Sequence, residues 1–129
     1  MPIIIDTCVL LWIVGDPKKL SEKAANLIKG NTDGLYVSAI SAFEIAIKHK
    51  KNKLELPKDP WPWFEEAIYD YNLKVIPISA KIAALSPVVD VPHDDPCDRI
   101  IVASAITHDL HVISPDRLIQ KCPDIQVSW

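Results

Sequence analysis

Cysteine is scarce in this sequence of 129 residues, and the three that occur, Cys8, Cys97 and Cys122, show no paired spacing. An odd and scattered set of thiols argues against a disulfide framework and favours a reducing, cytoplasmic compartment. A zinc site needs a tighter cluster of thiolates or histidines than this sequence offers. A disulfide-linked scaffold and a zinc-stabilised module are therefore both disfavoured.

Long apolar runs and an excess of positive charge are also absent. The N-terminal apolar run is short, contains Asp6 and has no basic residues before it, so we expect neither a signal peptide nor a membrane span. A net charge of −3 argues against a general nucleic-acid coat protein, but it allows an enzyme that touches nucleic acid through one basic patch. No repeat, low-complexity tract or linker interrupts the chain, so its length predicts a single domain over residues 1–129.

Short apolar strands alternate with helices along the chain. The run Ile3–Ile5 is continuous and β-branched, as is typical of a central parallel strand buried on both faces. Further strands are predicted at 35–37, 73–76, 111–113 and 125–127, with helices starting near residues 8, 21, 41, 60, 79, 96 and 115. This order predicts an α/β fold with a mostly parallel sheet flanked by helices. In such sheets, ligands bind beyond the carboxyl ends of the strands.

Four acidic residues fall at that end of the predicted sheet. Asp6 ends the first strand, Glu44 begins the helix after the second, Asp98 lies in the first turn of a later helix, and Asp116 follows the fourth strand. Carboxylates that lie close together repel one another and take up protons unless a cation neutralises them. An all-oxygen acidic site selects Mg²⁺ or Mn²⁺, and Mg²⁺ held by few carboxylates typically engages phosphate. The pattern therefore favours phosphoryl chemistry at a divalent metal site.

Each acid also has an ordinary structural interpretation. Asp95 precedes a proline and is predicted to be a helix N-cap, and Asp98 could do no more than stabilise the same first turn. Ser41 and Glu44 fit a capping box, in which Glu44 only reaches back to the backbone of Ser41. Asp6 could be a solvated turn residue. Taken singly these alternatives stay open, but four acids at one edge are hard to explain as caps.

One basic cluster follows Glu44 in the same predicted helix. It consists of Lys48, Lys50, Lys51 and Lys53, with His49 among them. The cluster is either a solvated helix end, where cations suit the helix dipole, or a contact for nucleic-acid phosphates. Trp61 and Trp63 lie further along; such aromatics usually belong to the core, but a close pair also suits an exposed patch for a partner.

Together these motifs resemble those of PIN-domain ribonucleases, and more closely the VapC toxins of type II toxin–antitoxin pairs. The matching segments, in the expected order over nearly the whole chain, are Ile4-Ile5-Asp6-Thr7, Ser38 to Lys48, His93 to Arg99 and Ser114-Pro115-Asp116. The resemblance implies a PIN-like three-layer sandwich and metal-dependent RNA cleavage. It assigns catalytic roles to Asp6, Glu44, Asp98 and Asp116, with Asp6, Asp98 and Asp116 as ligands of Mg²⁺ or Mn²⁺. It also implies a homodimer and a small antitoxin that occupies the groove near the acids.

Further residues in the matching segments are candidates for supporting roles. Thr7 and Ser114 are candidates to orient carboxylates or waters from outside the ligand set, and Asp95 and Arg99 are less definite members of that group. Two positions depart from the family pattern, because Cys97 stands where Phe is frequent and Ser114 where Thr is usual. Serine keeps the hydroxyl group, so we expect little loss of function at that position.

Two other classes of protein share some of these features. A receiver-like signalling domain is also a small α/β unit with an acidic Mg²⁺ pocket, but it needs paired acids after the first strand and a lysine after a late strand. The segments Asp6-Thr7 and Ser114-Pro115-Asp116 supply neither. A catalytically silent PIN-like module that binds RNA or protein is expected to lack one of the acids, and none is missing here.

Overall fold

Five parallel strands form the central sheet in a computed structural model that describes all of residues 1–129. They are β1 (Ile3–Ile5), β2 (Leu35–Ser38), β3 (Lys74–Ile76), β4 (His111–Ile113) and β5 (Val127–Ser128). Their order across the sheet is β3-β2-β1-β4-β5, and every neighbouring pair is parallel. The first strand therefore lies at the centre of the sheet with its three isoleucines fully buried, which confirms the prediction from its β-branched run.

Six α-helices connect the strands. They are α1 (Thr7–Gly15), α2 (Glu22–Lys29), α3 (Ala39–Lys50), α4 (Pro60–Asp70), α5 (Ala80–Leu85) and α6 (Pro96–His108), and short 3-10 helices span Pro17–Lys19, Ser86–Val88 and Ile119–Lys121. Ser21, Ser79 and Asp95 each accept a hydrogen bond from a first-turn amide, so these predicted N-caps are confirmed. None of the helices combines the length and the apolar character that crossing a bilayer requires.

Alternate strand residues face two separate cores. Ile3 and Ile5 pack in one cluster with residues of α1, α2, α3 and α4, whereas Ile4 packs in a second cluster with residues of α5 and α6. This division follows from the two-residue period of a β-strand, which points neighbouring side chains to opposite faces. The predicted arrangement of a parallel sheet between two helical layers is confirmed, and it matches the PIN-like sandwich.

The predicted capping box at Ser41 is wrong. Helix α3 begins three residues earlier than expected, because Ser38 ends β2 and its Oγ accepts the amide of Ile40 at 3.1 Å. Ser41 therefore lies inside the helix, where its Oγ is 2.8 Å from the Oγ1 of Thr7. Glu44 consequently lies in the second turn rather than the first, and it has no role in capping α3.

The predicted helix at Pro115 is also wrong. Residues 114–118 form an irregular turn, and the only helical segment that follows is the short one at Ile119–Lys121. The hydroxyl of Ser114 donates to Asp6 at 2.7 Å and accepts the amide of Asp116 at 3.0 Å, but no helix follows directly. The Oδ1 of Asp116 instead accepts the amides of Leu118 and Ile119 at 2.8 and 3.3 Å, which makes Asp116 the organising side chain of this turn.

Candidate active site

Asp6 is the most deeply buried of the four predicted acids, with 5% of its surface exposed. Its Oδ1 accepts the amide of Thr7 and its Oδ2 accepts the hydroxyl of Ser114, both at 2.7 Å. Burial raises the pKa of Asp6, these two hydrogen bonds partly counteract the rise, and the charges of Glu44 and Asp116 add to it. The carboxylate of Asp6 is thus fixed in orientation beside other negative charges.

Asp98 and Asp116 converge on one ring nitrogen of His93. The Nε2 of His93 lies 2.9 Å from an Oδ2 of each aspartate. Burial, together with the charges of Asp6 and Asp95, raises the pKa of Asp98 to about 7 although the charge of His93 opposes this rise. Burial alone lowers the pKa of His93, but its hydrogen bond to Asp116 and the surrounding carboxylates give a net rise. Two carboxylates from distant segments therefore share one imidazole.

Glu44 makes its main contact within its own helix. Its Oε2 lies 3.0 Å from the Nζ of Lys48, one turn later, and its side chain is 11% exposed. The other oxygen, Oε1, is buried and has no hydrogen-bond partner in the protein. The negative charge of Glu44 raises the pKa values of both Asp6 and Asp98, so Glu44 belongs electrostatically to the same cluster.

The predicted supporting residues contact the acids in different ways. Ser114 bonds Asp6 directly and also accepts the amide of Asp116 at 3.0 Å, so one hydroxyl links the two carboxylate segments. Thr7 holds Asp6 through its backbone amide, whereas its hydroxyl meets Ser41. Asp95 accepts the amide of Cys97 at 2.9 Å and makes no contact with another acid.

Arg99 lies next to Asp98 in sequence but touches none of the four acids. Its guanidinium donates instead to backbone carbonyls of the segment that precedes α6.

Of the predicted basic cluster, only Lys48 reaches the acids. Lys50 ends α3, and Lys51 and Lys53 follow it; all three are exposed and form no ion pair. The two tryptophans are separated in the same way, because Trp63 is buried in the core whereas Trp61 is 62% exposed. The structure therefore divides each of these sequence clusters into an inward and an outward part.

Sequence reasoning missed His93 as a member of the site. The residue lies two positions before the cap Asp95 and five before Asp98, so its presence in the same crowded segment was the available signal. Its contact with Asp116 spans 23 residues and depends on the path of the loop, which sequence spacing does not specify.

The residues present fit a divalent cation. Carboxylate oxygens of Asp98 and Asp116 lie within 4.8 Å of each other, and opposite ligands of Mg²⁺ are about 4.2 Å apart. The unpaired Oε1 of Glu44 is a buried acceptor that calls for a cation, a proton or water. Together with the carboxylate of Asp6, this donor set is rich in oxygen, which suits Mg²⁺ or Mn²⁺ better than a softer metal.

Comparison with known proteins gives a family match over most of the chain. The sequence profile of the PIN domain matches residues 3–124. A curated relative, "Ribonuclease VapC22" of Mycobacterium tuberculosis, is 29% identical over 122 residues, which cover 92% of this chain and 90% of the relative.

Solved structures agree with the fold. One is "VapBC2 from Rickettsia felis bound to a DNA fragment from their promoter", with a TM-score of 0.71 and 14% identity over 99% of this chain and 98% of that chain. A second is "DNA bound VapBC from Salmonella typhimurium", with a TM-score of 0.69 and 18% identity over 99% and 97% of the two chains. At these identities the likeness establishes a shared fold.

Proposed function

Because this chain belongs to the PIN domain family, we propose that it is an endoribonuclease that depends on Mg²⁺ or Mn²⁺ and cleaves phosphodiester bonds in RNA. We propose further that it is the toxin of a type II toxin–antitoxin pair, because its motifs resemble those of VapC toxins; the ribonuclease name of its curated relative supports the activity. The observation that most directly supports the activity is the convergence of Asp98 and Asp116 on one point, with the buried carboxylates of Asp6 and Glu44 beside it.

In this proposal Asp6, Asp98 and Asp116 hold the metal, and Glu44 completes the catalytic acids. When bound, such an ion activates water and stabilises the leaving oxygen of the phosphodiester. The protein's own contribution is orientation: the hydroxyl of Ser114 and the amide of Thr7 fix the carboxylate of Asp6. Fixed ligands with defined hydrogen bonds are the usual requirement of a reactive metal site.

Lysine residues along α3 are proposed to bind the RNA backbone. Lys48 lies beside Glu44 and therefore next to the site where the scissile phosphate would be held. Lys50 is the exposed last residue of α3, about 9 Å from Glu44 along the axis. Lys51 and Lys53 follow just beyond the helix end. A row of cations leading away from an acidic centre provides phosphate contacts on one side of the cleavage point.

The partners proposed for this chain are a small antitoxin protein and a second copy of itself. Phe43 on α3 and Trp61 on α4 are 54% and 62% exposed, and these two helices pack against each other. Exposed aromatic side chains of this kind suit contact with an amphipathic segment of a partner. We also propose that residues 1–129 act as a single PIN-like domain in the cytoplasm, where the three free thiols would stay reduced.

RNA cleavage by the purified protein tests the activity. We expect cleavage with Mg²⁺ or Mn²⁺, loss of cleavage with EDTA, and recovery when excess metal is restored. Full activity in chelator would contradict the metal-dependent mechanism. Tight RNA binding without cleavage under any metal condition would instead identify a silent PIN-like module.

Growth on induced expression tests the biological role. We expect strong expression of the soluble protein to arrest growth, and co-expression of its antitoxin to restore it. A matched strain that expresses the Asp98→Asn variant at the same level should grow normally, which separates toxicity from the burden of overexpression. Unimpaired growth with the wild-type protein would count heavily against a toxin.

A further inference from the structure

Arg99 uses all of its guanidinium hydrogen-bond donors on one loop. Its Nε, Nη1 and Nη2 make five hydrogen bonds of 2.9–3.0 Å to five different backbone carbonyls. The accepting residues are Ser86, Pro87, Val89, Val91 and His93. A guanidinium has five N–H groups, so none is left for an acid or for a ligand.

The loop that receives these bonds has little internal structure of its own. After the short helix Ser86–Val88, its local backbone bonds are two tight turns, from Val91 to Val89 at 3.0 Å and from His93 to Val91 at 2.8 Å. The side chain of Arg99 thus replaces the backbone partners that a strand or helix would supply to these carbonyls. Removing it would leave the carbonyls of Val89 and Val91 with only their tight-turn amides and would take a hydrogen-bond partner from the other three.

His93 is the last residue along the loop whose carbonyl accepts a hydrogen bond from Arg99, and its own side chain contacts Asp98 and Asp116. The Nδ1 of His93 accepts the amide of Asp95 at 3.2 Å, so in the neutral ring the proton lies on Nε2. That Nε2 faces Asp98 and Asp116 at 2.9 Å. The ring is therefore fixed at one end by backbone and at the other by two carboxylates, and the loop carries it there.

We propose that Arg99 is a positioning residue of the active site, which acts at a distance by holding the loop of residues 86–93 so that His93 lies between Asp98 and Asp116. This role deepens the proposed ribonuclease activity and rests on it where cleavage is measured. Arg99 is suited to the task because its donors form a rigid planar fork, whereas lysine carries only three donors on a compact ammonium. The positive charge alone would not reproduce the contact.

A double-mutant cycle tests whether Arg99 acts through His93. We expect Arg99→Lys, which keeps the charge, to lower kcat for RNA by about 10- to 100-fold, the range found when a group that supports a metal site is removed. His93→Ala should lower it comparably, and the double variant should be no slower than His93→Ala alone. The matched control is Arg117→Lys, because Arg117 is exposed and makes no hydrogen bond or ion pair; we expect its activity to be unchanged. Multiplicative losses in the double variant would overturn the proposal.

A spectroscopic measurement without RNA or metal separates this proposal from the proposed function. The ¹⁵N and ¹H resonances of the His93 ring in the wild-type protein should report an acceptor at Nδ1 and a hydrogen-bonded proton at Nε2. We expect Arg99→Lys to shift them toward those of a free histidine, while Arg117→Lys leaves them in place. Unchanged resonances in Arg99→Lys would overturn the positioning role even if the protein cleaves RNA. If Arg99→Lys shifts the resonances but the wild-type protein cleaves no RNA, the positioning role is upheld and the ribonuclease activity is refuted.

The variant His93→Ala provides a second test if Arg99→Lys does not fold. In His93→Ala the five bonds from Arg99 remain possible, because four of the acceptors belong to other residues and the fifth is a backbone carbonyl. We therefore expect the backbone amides of Val91 and of residue 93 to keep their protection from hydrogen exchange. Loss of that protection would show that His93, rather than Arg99, orders the loop.

Discussion

The two halves of the acidic site are held together in different ways. In the α3 half, Glu44 is paired with Lys48 one turn later on the same helix, at 3.0 Å. In the α6 half, Asp98 has no partner on its own helix and shares the Nε2 of His93 with Asp116, which follows β4. The first contact needs only a helix, whereas the second needs three segments of the chain to meet.

The difference also concerns charge. The α3 half balances one carboxylate with one ammonium, but in the α6 half Asp98 and Asp116, with Asp6 beside them, face a single imidazole. The raised pKa of Asp98, about 7, follows from burial and from this crowding of negative charge. A metal-binding role is therefore better supported in the α6 half, and substitutions on the two sides should have different consequences.

The largest effect is expected from breaking the α6 half with Asp98→Asn. An amide is a poorer ligand for a hard cation than a carboxylate, so cleavage should fall to background even at high Mg²⁺. The metal-free protein should be as stable as the wild type or more so, because the change removes a charge that burial disfavours. Cleavage assays and melting curves in chelator measure both effects, with Asp70→Asn as the exposed control. An active Asp98→Asn protein would contradict the assignment.

A smaller loss is expected from breaking the α3 half with Glu44→Gln. The variant keeps the side-chain size and removes the charge, and since Glu44 does not cap α3, the helix should form normally. We expect cleavage to fall by at least about 10-fold, with little change in melting temperature. Glu66→Gln is the matched control, because Glu66 pairs with Lys58 on the exposed surface. If Glu44→Gln cleaves RNA like the wild type, Glu44 serves only as the partner of Lys48.

The pH dependence of stability distinguishes the α6 half of the site from the α3 half without a substitution in either. The folded protein binds the proton of Asp98 more tightly than the unfolded chain does, because the pKa rises from 3.8 to about 7 on folding. The contribution of Asp98 to the stability of the folded state is therefore fully present below about pH 4, and it is lost as the pH rises through about 7. The raised pKa of His93 acts in the same direction.

Melting temperatures in chelator across this range measure the effect. We expect Asp98→Asn to gain stability relative to the wild type as the pH rises, and Glu44→Gln to follow the wild-type slope more closely. A wild-type and an Asp98→Asn protein that differ by the same amount at every pH would show that Asp98 titrates normally.

The smallest effect is expected at Asp95, which caps α6. Asparagine caps as well as aspartate, so Asp95→Asn should change the free energy of unfolding by no more than about a few tenths of a kcal/mol and leave cleavage nearly intact. Asp95→Ala, which removes the cap, should cost about 1 kcal/mol by denaturant unfolding. An inactive Asp95→Asn beside an active Asp98→Asn would reverse the roles of cap and ligand.

The features that sequence predicted well are those fixed by neighbouring residues. The β-branched run Ile3–Ile5 specified a buried central strand, and Ser21, Ser79 and Asp95 specified helix starts, because each depends on a few adjacent positions. The grouping of the acids at one edge was predictable for a related reason, since parallel strands bring their carboxyl ends together.

One feature that sequence did not predict has a local cause, and the others depend on contacts between residues from different segments. The predicted capping box was wrong because Ser38, at the end of a buried strand, is the N-cap of α3, so the helix has already begun at Ser41. The helix predicted at Pro115 does not form, because Asp116 organises an irregular turn there, and Ser114 links that turn to Asp6, more than one hundred residues away. The role of His93 was missed for the same reason, because the loop that carries it is shaped by Arg99. No local pattern encodes such partners.

The bond between Asp6 and Ser114 also has a consequence for the order of synthesis. The two residues are 108 positions apart, and β1 lies between β2 and β4 at the centre of the sheet. At ribosomal rates of about 5–20 residues per second, the strand and its buried acid wait roughly 5 to 20 s for the segment that completes them. During that interval β1 can pair with β2 on one side but has a free edge on the other, where β4 belongs. Until β4 is made, the nascent chain therefore carries an unpaired strand edge, a feature that favours aggregation, and premature termination before β4 leaves the acidic centre unformed.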